Sequence, residues 1–231
     1  MSGEQVAGVA VDRSSLEVDG LEGLERVLAP SVNAVVARRA LDPDLPAALA
    51  AALGEPGDHV TLIGPRGEGL ERLVGPLAPG AARQALERDA RLLATRFARL
   101  TAASELKATL CVIDDGACRK FHADRVGLRM LCTYVGPGTE WLEEGEFDRS
   151  LLLGLPCRSP GDLERFNAEV SRHGAATRRA RAGDVVVLKG TAWPGNEARG
   201  VIHRSPPATP SAPRLLLKLD LVHAVLRALP A

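Results

Sequence analysis

Phe121-His122-Ala123-Asp124 is the stretch on which the reading of this chain turns, because it sets an imidazole and a carboxylate two residues apart, just ahead of the strand-like run Arg129-Met130-Leu131-Cys132-Thr133-Tyr134. In an extended backbone residues i and i+2 project to one face, so His122 and Asp124 can grip a single cation together. Far downstream, Ile202-His203-Arg204-Ser205-Pro206 offers a second imidazole on another short apolar segment. Two His and one carboxylate on one side of a cation leave its other side open, an arrangement suited to non-haem Fe(II). The same donors suit Zn with a water in the fourth position, and the residues alone leave both metals open.

Pro213-Arg214-Leu215-Leu216-Leu217-Lys218-Leu219-Asp220 supplies a further element. Arg214 follows His203 at a distance that allows a tight corner and a return on a neighbouring antiparallel strand. A guanidinium there presents a planar fork for a carboxylate, as needed to hold the far end of a 2-oxoglutarate. Lys218 on the same strand face is the fallback anchor. Tyr134, at the end of the strand after His122 and Asp124, is the expected hydrogen-bond donor to the co-substrate carboxylate. Trp141, Trp193, Arg129, Cys132 and Arg204 are candidates for a substrate pocket. Cys118, four residues before His122 on one extended strand, would sit about 13 Å away and outside the metal's reach.

These residues resemble the Fe(II)/2-oxoglutarate dioxygenases, particularly the prolyl-4-hydroxylase-like branch. The pattern of that branch is matched in order by His122-Ala123-Asp124, by Arg129 through Thr133-Tyr134-Val135, by Ala182-Gly183-Asp184 opening an apolar strand, and by His203 and Arg214. Gly136-Pro137-Gly138-Thr139 departs from the Gly-Gly-x-Thr that often follows the Tyr strand. The phrases Cys118 to Arg125, Thr133 to Trp141 and His203-Arg204-Ser205-Pro206-Pro207 look like the bacterial family called domain of unknown function 1826. The dioxygenase-like pattern covers about residues 107 to 220, the second resemblance most of the chain. The first implies a double-stranded β-helix (jelly-roll) core, Fe(II) and 2-oxoglutarate; the second implies a family but no mechanism.

With 231 residues, 45% of them apolar, the chain is long enough to bury a substantial core. Its 29 basic and 29 acidic residues cancel, which argues against a nucleic-acid or anionic-membrane partner. Neither a secretory leader nor a stretch of roughly 20 apolar residues is visible, so a cytoplasmic location is expected. Four Cys without Cys-x-x-Cys spacing read as reduced thiols. His59, His173 and His223 have no partner at ligand spacing and read as structural residues.

Along the chain, residues 1 to 30 read as a partly ordered lead-in, and 31 to 105 as an α/β support. The support comprises strands near 33–37 and 59–63, a short helix opened by Asp44-Leu45-Pro46, and a long amphipathic helix over 81–101. Gly64-Pro65-Arg66-Gly67-Glu68-Gly69 lacks the spacing of a phosphate loop and reads as a turn. Residues 106 to 231 read as the jelly-roll core. It starts with a hairpin, 106–113 and 117–124 around an Asp114-Asp115-Gly116 turn, and continues with strands at 128–135, 176–181, 184–188, 200–204 and 214–219. An insert at 142–175, with a helix capped by Ser159 and opened by Pro160, reads as a lid or substrate-recognition element. The expected class is therefore α+β, a jelly-roll buttressed by N-terminal helices. The leading expectation is an Fe(II)/2-oxoglutarate oxygenase acting on a small molecule or a protein side chain. A non-catalytic metal-binding or metal-sensing jelly-roll and a Zn-dependent hydrolase are its rivals.

Overall fold

A computed structural model describes residues 14–55, 59–65, 69–113, 118–153, 159–171, 176–209 and 211–222. In chain order the strands are β1 (Ser15–Asp19), β2 (Ala34–Arg38), β3 (His59–Pro65), β4 (Glu105–Ile113), β5 (Leu128–Val135), β6 (Glu140–Trp141), β7 (Arg178–Arg179), β8 (Val185–Lys189), β9 (His203–Arg204) and β10 (Arg214–Leu221). The helices are α1 (Leu45–Ala51), α2 (Leu70–Leu73), α3 (Ala81–Thr101) and α4 (Pro160–Val170). Seven strands form one sheet in the order β1-β2-β8-β5-β10-β4-β3, and three form a second in the order β7-β6-β9. Only the β1–β2 pair of the large sheet is parallel.

Alternation along the central strands divides the large sheet into two faces with different tasks. On one face, Met130, Cys132 and Tyr134 of β5 and Leu215, Leu217 and Leu219 of β10 join the main core. Helix α3 covers this face through Leu86, Leu93 and Phe97, all fully buried and spaced for one side of a helix. The helix ends at Ala102, whose φ of 51° breaks the helical run while its N–H bonds back to the Ala98 and Arg99 carbonyls. On the opposite face, Leu131 of β5 and Val186 and Leu188 of β8 pack with Trp141 of the small sheet and with Ala180 and Val201. The two sheets thus face one another, with the helix layer outside.

Several elements lie where the sequence places them: β2, β3, β5, β8, β10, and helix α3 over its full expected length. Helix α4 begins as its capping residues dictate, with the Ser159 hydroxyl accepting from the Asp162 N–H at 3.1 Å. One expectation is corrected, and two further features bear on the organisation of the chain. Residues 106–113 and 117–124 do not form a hairpin, because β4 is flanked by β3 and β10, and the segment at His122 makes a single bridge to β9 instead. The lead-in contains β1 and a 3-10 helix over Leu21–Leu28, so from residue 15 onward it belongs to the fold. The division at 105 separates no two sheets, since β2 pairs with β8 and β3 with β4. The Asp114-Asp115-Gly116 turn, Arg66 to Glu68, Cys157, His173 and His223 lie outside the described residues. No helix among the described residues is long and apolar enough to cross a membrane.

One glycine ties the core to the segment bearing Asp124. A Cβ on Gly190 would lie 2.5 Å from the Asp124 carbonyl oxygen and 2.3 Å from that of Val126. Both contacts are with backbone, which cannot step aside cheaply. The same stretch is laced by Gly190 N–H to Gly127 O at 2.9 Å and Thr191 N–H to Asp124 O at 2.9 Å. Gly190→Ala is expected to cost about 1–3 kcal/mol, the usual range for forced overpacking, and to lower metal content by moving Asp124. Urea unfolding and elemental analysis of the purified variant check both effects.

Candidate metal centre

The site begins with a backbone pairing. His122 and His203 exchange N–H···O=C bonds in both directions, each 3.0 Å, as an isolated antiparallel bridge. Residues directly opposed in such a bridge project to the same side, which brings the two imidazoles to a centroid separation of 4.7 Å. Each ring is then turned by a carbonyl two residues earlier in its own chain. Nδ1 of His122 lies 2.7 Å from Lys120 O, and Nδ1 of His203 lies 3.1 Å from Val201 O. With Nδ1 spent on backbone, Nε2 of both rings is directed at Asp124, the second-sphere arrangement typical of metal-ligating His. Asp124 Oδ1 is 3.6 Å from Nε2 of His122, and Oδ2 is 3.0 Å from Nε2 of His203. One ligand atom from each of the three residues lies within 4.8 Å of the others. Two neutral-capable imidazole nitrogens and one carboxylate converging at that range form a donor set that fits a divalent cation.

The electrostatics show what such a cation would replace. Burial alone would raise the Asp124 pKa, but hydrogen bonds from His122 and His203 and the charge of Arg129 outweigh it and hold the carboxyl far below its ordinary range. Burial likewise disfavours a charged His122, yet Asp124, with smaller help from Cys118 and the Lys120 carbonyl, raises its pKa to about 10. The imidazole therefore carries a proton at neutral pH that an incoming cation must displace.

Around these three residues both sheets supply cations, Arg129 and Arg214 from the large one and Arg204 from the small one. Arg129 grips Asp220 through Nε and Nη2, at 2.6 and 3.0 Å, and reaches Asp124 through Nη1. Arg204 pairs with the buried Glu140 at 2.7 Å and lies 4.3 Å above the Phe121 ring. Arg214 is fully buried. Its Nε donates to Pro137 O at 2.6 Å, its Nη1 to the Ser205 hydroxyl, and its Nη2 to Thr133 Oγ1 at 3.3 Å. All three acceptors are neutral. His122, His203, Arg129, Arg204 and Arg214 line one cavity of about 380 Å³.

Four candidates lie elsewhere. Tyr134 is on the helix face of β5, where its hydroxyl donates to Asp89 of α3 at 2.6 Å; Asp89 in turn receives both Nη atoms of Arg39. Cys132 shares that face, with its thiol pushed up to about 11 by burial. Both miss the pocket by the parity of the strand, since Arg129, Leu131 and Thr133 take the opposite face. Trp141 packs in the core between the sheets, its indole N–H 3.3 Å from the Ser15 hydroxyl. Trp193 lies against the main core beneath the Lys189 ammonium, 5.0 Å from its ring centre. Conversely, Cys118 comes close: its Sγ is 3.5 Å from His122 Nδ1 because residues 118–121 are not extended. His59, read as structural, also lines the cavity. Ser205 and Thr133, which accept from Arg214, are neighbours of the site that no motif in the sequence marks.

Asp124→Ala is expected to remove stoichiometric divalent-metal binding, read by elemental analysis, because it deletes the only anionic donor of the three. Tyr134→Phe is expected to leave metal content unchanged and to lower stability by about 0.5–1.5 kcal/mol, the net worth of a typical hydrogen bond. Loss of metal in the Tyr134 variant would contradict its placement on the helix face.

Comparison with known proteins gives the chain a family. Residues 19–220 match the model described as "Protein of unknown function (DUF1826)". No curated protein matches the chain. Among solved structures, a prolyl-4-hydroxylase from Pseudomonas putida is similar, with 15% identity over 87% of this chain and 98% of that one and a TM-score of 0.43. The dioxygenase for auxin oxidation 1 from Arabidopsis thaliana, in its 2-oxoglutarate complex, has 10% identity over 89% of this chain and 91% of that one, with a TM-score of 0.44. A putative oxygenase from Shewanella oneidensis has 12% identity over 89% and 88%, with a TM-score of 0.39. The match to the family model spans both sheets and all three residues of the candidate metal site, and the chain belongs to the DUF1826 family.

Proposed function

We propose that this protein is an Fe(II)- and 2-oxoglutarate-dependent oxygenase of hydroxylase type, built on a jelly-roll formed by the two facing sheets. His122, Asp124 and His203 would hold the metal. When bound, Fe(II) with 2-oxoglutarate and oxygen supplies the oxidising power to place oxygen on an unactivated carbon. The chain's own contribution is geometric and electrostatic. Lys120 O and Val201 O fix the two imidazoles, and Arg129 together with Asp220 fixes the Asp124 carboxylate. Leu131 and Leu216 on the cavity wall keep water from the reacting side.

The observation that carries this reading is Arg214. Burial pulls its pKa down to about 10, which still leaves it charged at neutral pH. No carboxylate among the described residues forms an ion pair with it, and a buried charge without a counter-ion is expensive. A guanidinium has five N–H donors; three of them are occupied by Pro137, Ser205 and Thr133. The remainder suit an incoming carboxylate in the same cavity as His122 and His203. A Zn hydrolase or a passive metal carrier has no use for that anion site. Arg214, His122 and His203 together ask for a ligand that both chelates metal and ends in an acid, which is the shape of 2-oxoglutarate.

Arg214→Ala is expected to leave Fe(II) binding nearly intact and to weaken 2-oxoglutarate by roughly thirtyfold to several thousandfold, since truncating one partner of a buried charge pair costs about 2–5 kcal/mol. Arg214→Lys should recover part of the loss as a point charge. Anaerobic titration of 2-oxoglutarate into the Fe(II) protein, followed by its visible charge-transfer band, provides the measurement. A parent protein that neither develops the band nor turns 2-oxoglutarate into succinate would overturn the oxygenase reading. Equal binding by parent and Arg214→Ala would place the co-substrate elsewhere.

A further inference from the structure

We infer that the substrate of this site is a small organic acid with an apolar body and a single negative charge, and that Lys218 receives its acid group. The inference rests on the proposed oxygenase reading. It starts from the charge inventory of the cavity, which is lined by Arg129, Arg204, Arg214 and Lys218 and, among the described residues, by no carboxylate. Two of these cations already have a carboxylate behind them, Arg129 paired with Asp220 and Arg204 with Glu140. Arg214 and Lys218 have no such partner among the described residues. Arg214, fully buried, is matched by one end of the co-substrate. A divalent metal with Asp124 carries one net positive charge, Arg214 another, and dianionic 2-oxoglutarate cancels both. Lys218 then remains, among the described residues, the lining cation without a counter-charge.

Its position supports a role toward the substrate. Lys218 lies on the cavity face of β10, on the same side as Arg214 and two residues from each of Leu216 and Asp220. Asp220, the nearest acid on that face, is held by Arg129. In register, Lys218 stands opposite Leu131 of β5 and Thr109 of β4, and it is half-buried. Beside it the wall is apolar, made by Ile113, Leu131 and Leu216. A cavity of about 380 Å³ that also takes the co-substrate leaves room for a compact molecule. One ammonium at the edge of an apolar wall selects a molecule with one acid group and an apolar remainder, and disfavours cations.

The test uses the full-length Fe(II)–2-oxoglutarate protein under anaerobic conditions, with a series of straight-chain and aryl monocarboxylates, each beside its primary amide. Perturbation of the charge-transfer band reports entry beside the metal. The expected result is that one or more acids perturb the band and their amides bind about tenfold more weakly or worse, the factor set by losing a charged hydrogen bond. Lys218→Gln should erase the preference for acid over amide, Lys218→Arg should keep it, and neither should change 2-oxoglutarate affinity. If acids and amides act alike, if no acid perturbs the band, or if Lys218→Gln leaves the preference intact, the inference is overturned while the oxygenase reading stands. If Lys218→Gln weakens 2-oxoglutarate itself, Lys218 belongs to the co-substrate and the inference also fails. Should the parent form no band at all, the oxygenase reading falls, and calorimetric titration of the same acid and amide pairs into Zn(II)-loaded parent and Lys218→Gln protein decides the role of Lys218 alone.

Discussion

The reciprocal backbone hydrogen bond between His122 and His203 is the constraint from which the site follows. Two residues separated by about eighty positions in the chain are locked side by side through main-chain atoms, so their rings share a side without any side-chain contact being needed to hold them there. Asp124 follows two residues beyond His122, just past the bridge. Its backbone is pinned by Thr191 and by the close approach of Gly190. Preorganisation of this kind matters because a metal site left to flexible side chains would lose affinity to the entropy of collecting them.

The second constraint is electrostatic. Arg214 is buried with only neutral hydrogen-bond acceptors among the described residues, and Asp124 is buried between two imidazoles and Arg129. Such an arrangement adds little to stability, because desolvation offsets much of the Coulombic gain. On the proposed reading, its explanation lies in ligand binding. The stabilising work is done on the other face of the sheet, where α3 buries Phe97 and Leu93 against β5 and β10, and where Asp89 ties Arg39 and Tyr134 together. One sheet thus separates a face that packs under the helix layer from a face that lines the candidate site.

Much of this was legible in the chain. Helix α3 could be read because its apolar residues recur at helical spacing, and the grouping of His122, Asp124 and His203 could be read because the first two stand two residues apart and His203 sits in a short apolar run. The parity of β5 could not be read. Leu128-Arg129-Met130-Leu131-Cys132-Thr133-Tyr134-Val135 is covered on both faces, so apolar residues occupy both phases and nothing in the pattern says which one meets the cavity. Tyr134 and Cys132, expected at the pocket, therefore face the helix layer instead. The path of residues 118–121 was equally hidden, because the bend that brings Cys118 to His122 depends on a bridge to a strand far away in sequence. The membership of β1 to β3 in the main sheet depends on long-range pairing in the same way.

Crystals grown anaerobically with Fe(II) and measured on either side of the iron absorption edge test the central claim most directly. A single anomalous peak is expected, bound by Nε2 of His122, Nε2 of His203 and a carboxylate oxygen of Asp124, with Arg214 facing the same cavity. An iron peak placed elsewhere, or a site in which the two imidazoles do not share the metal, would contradict the account.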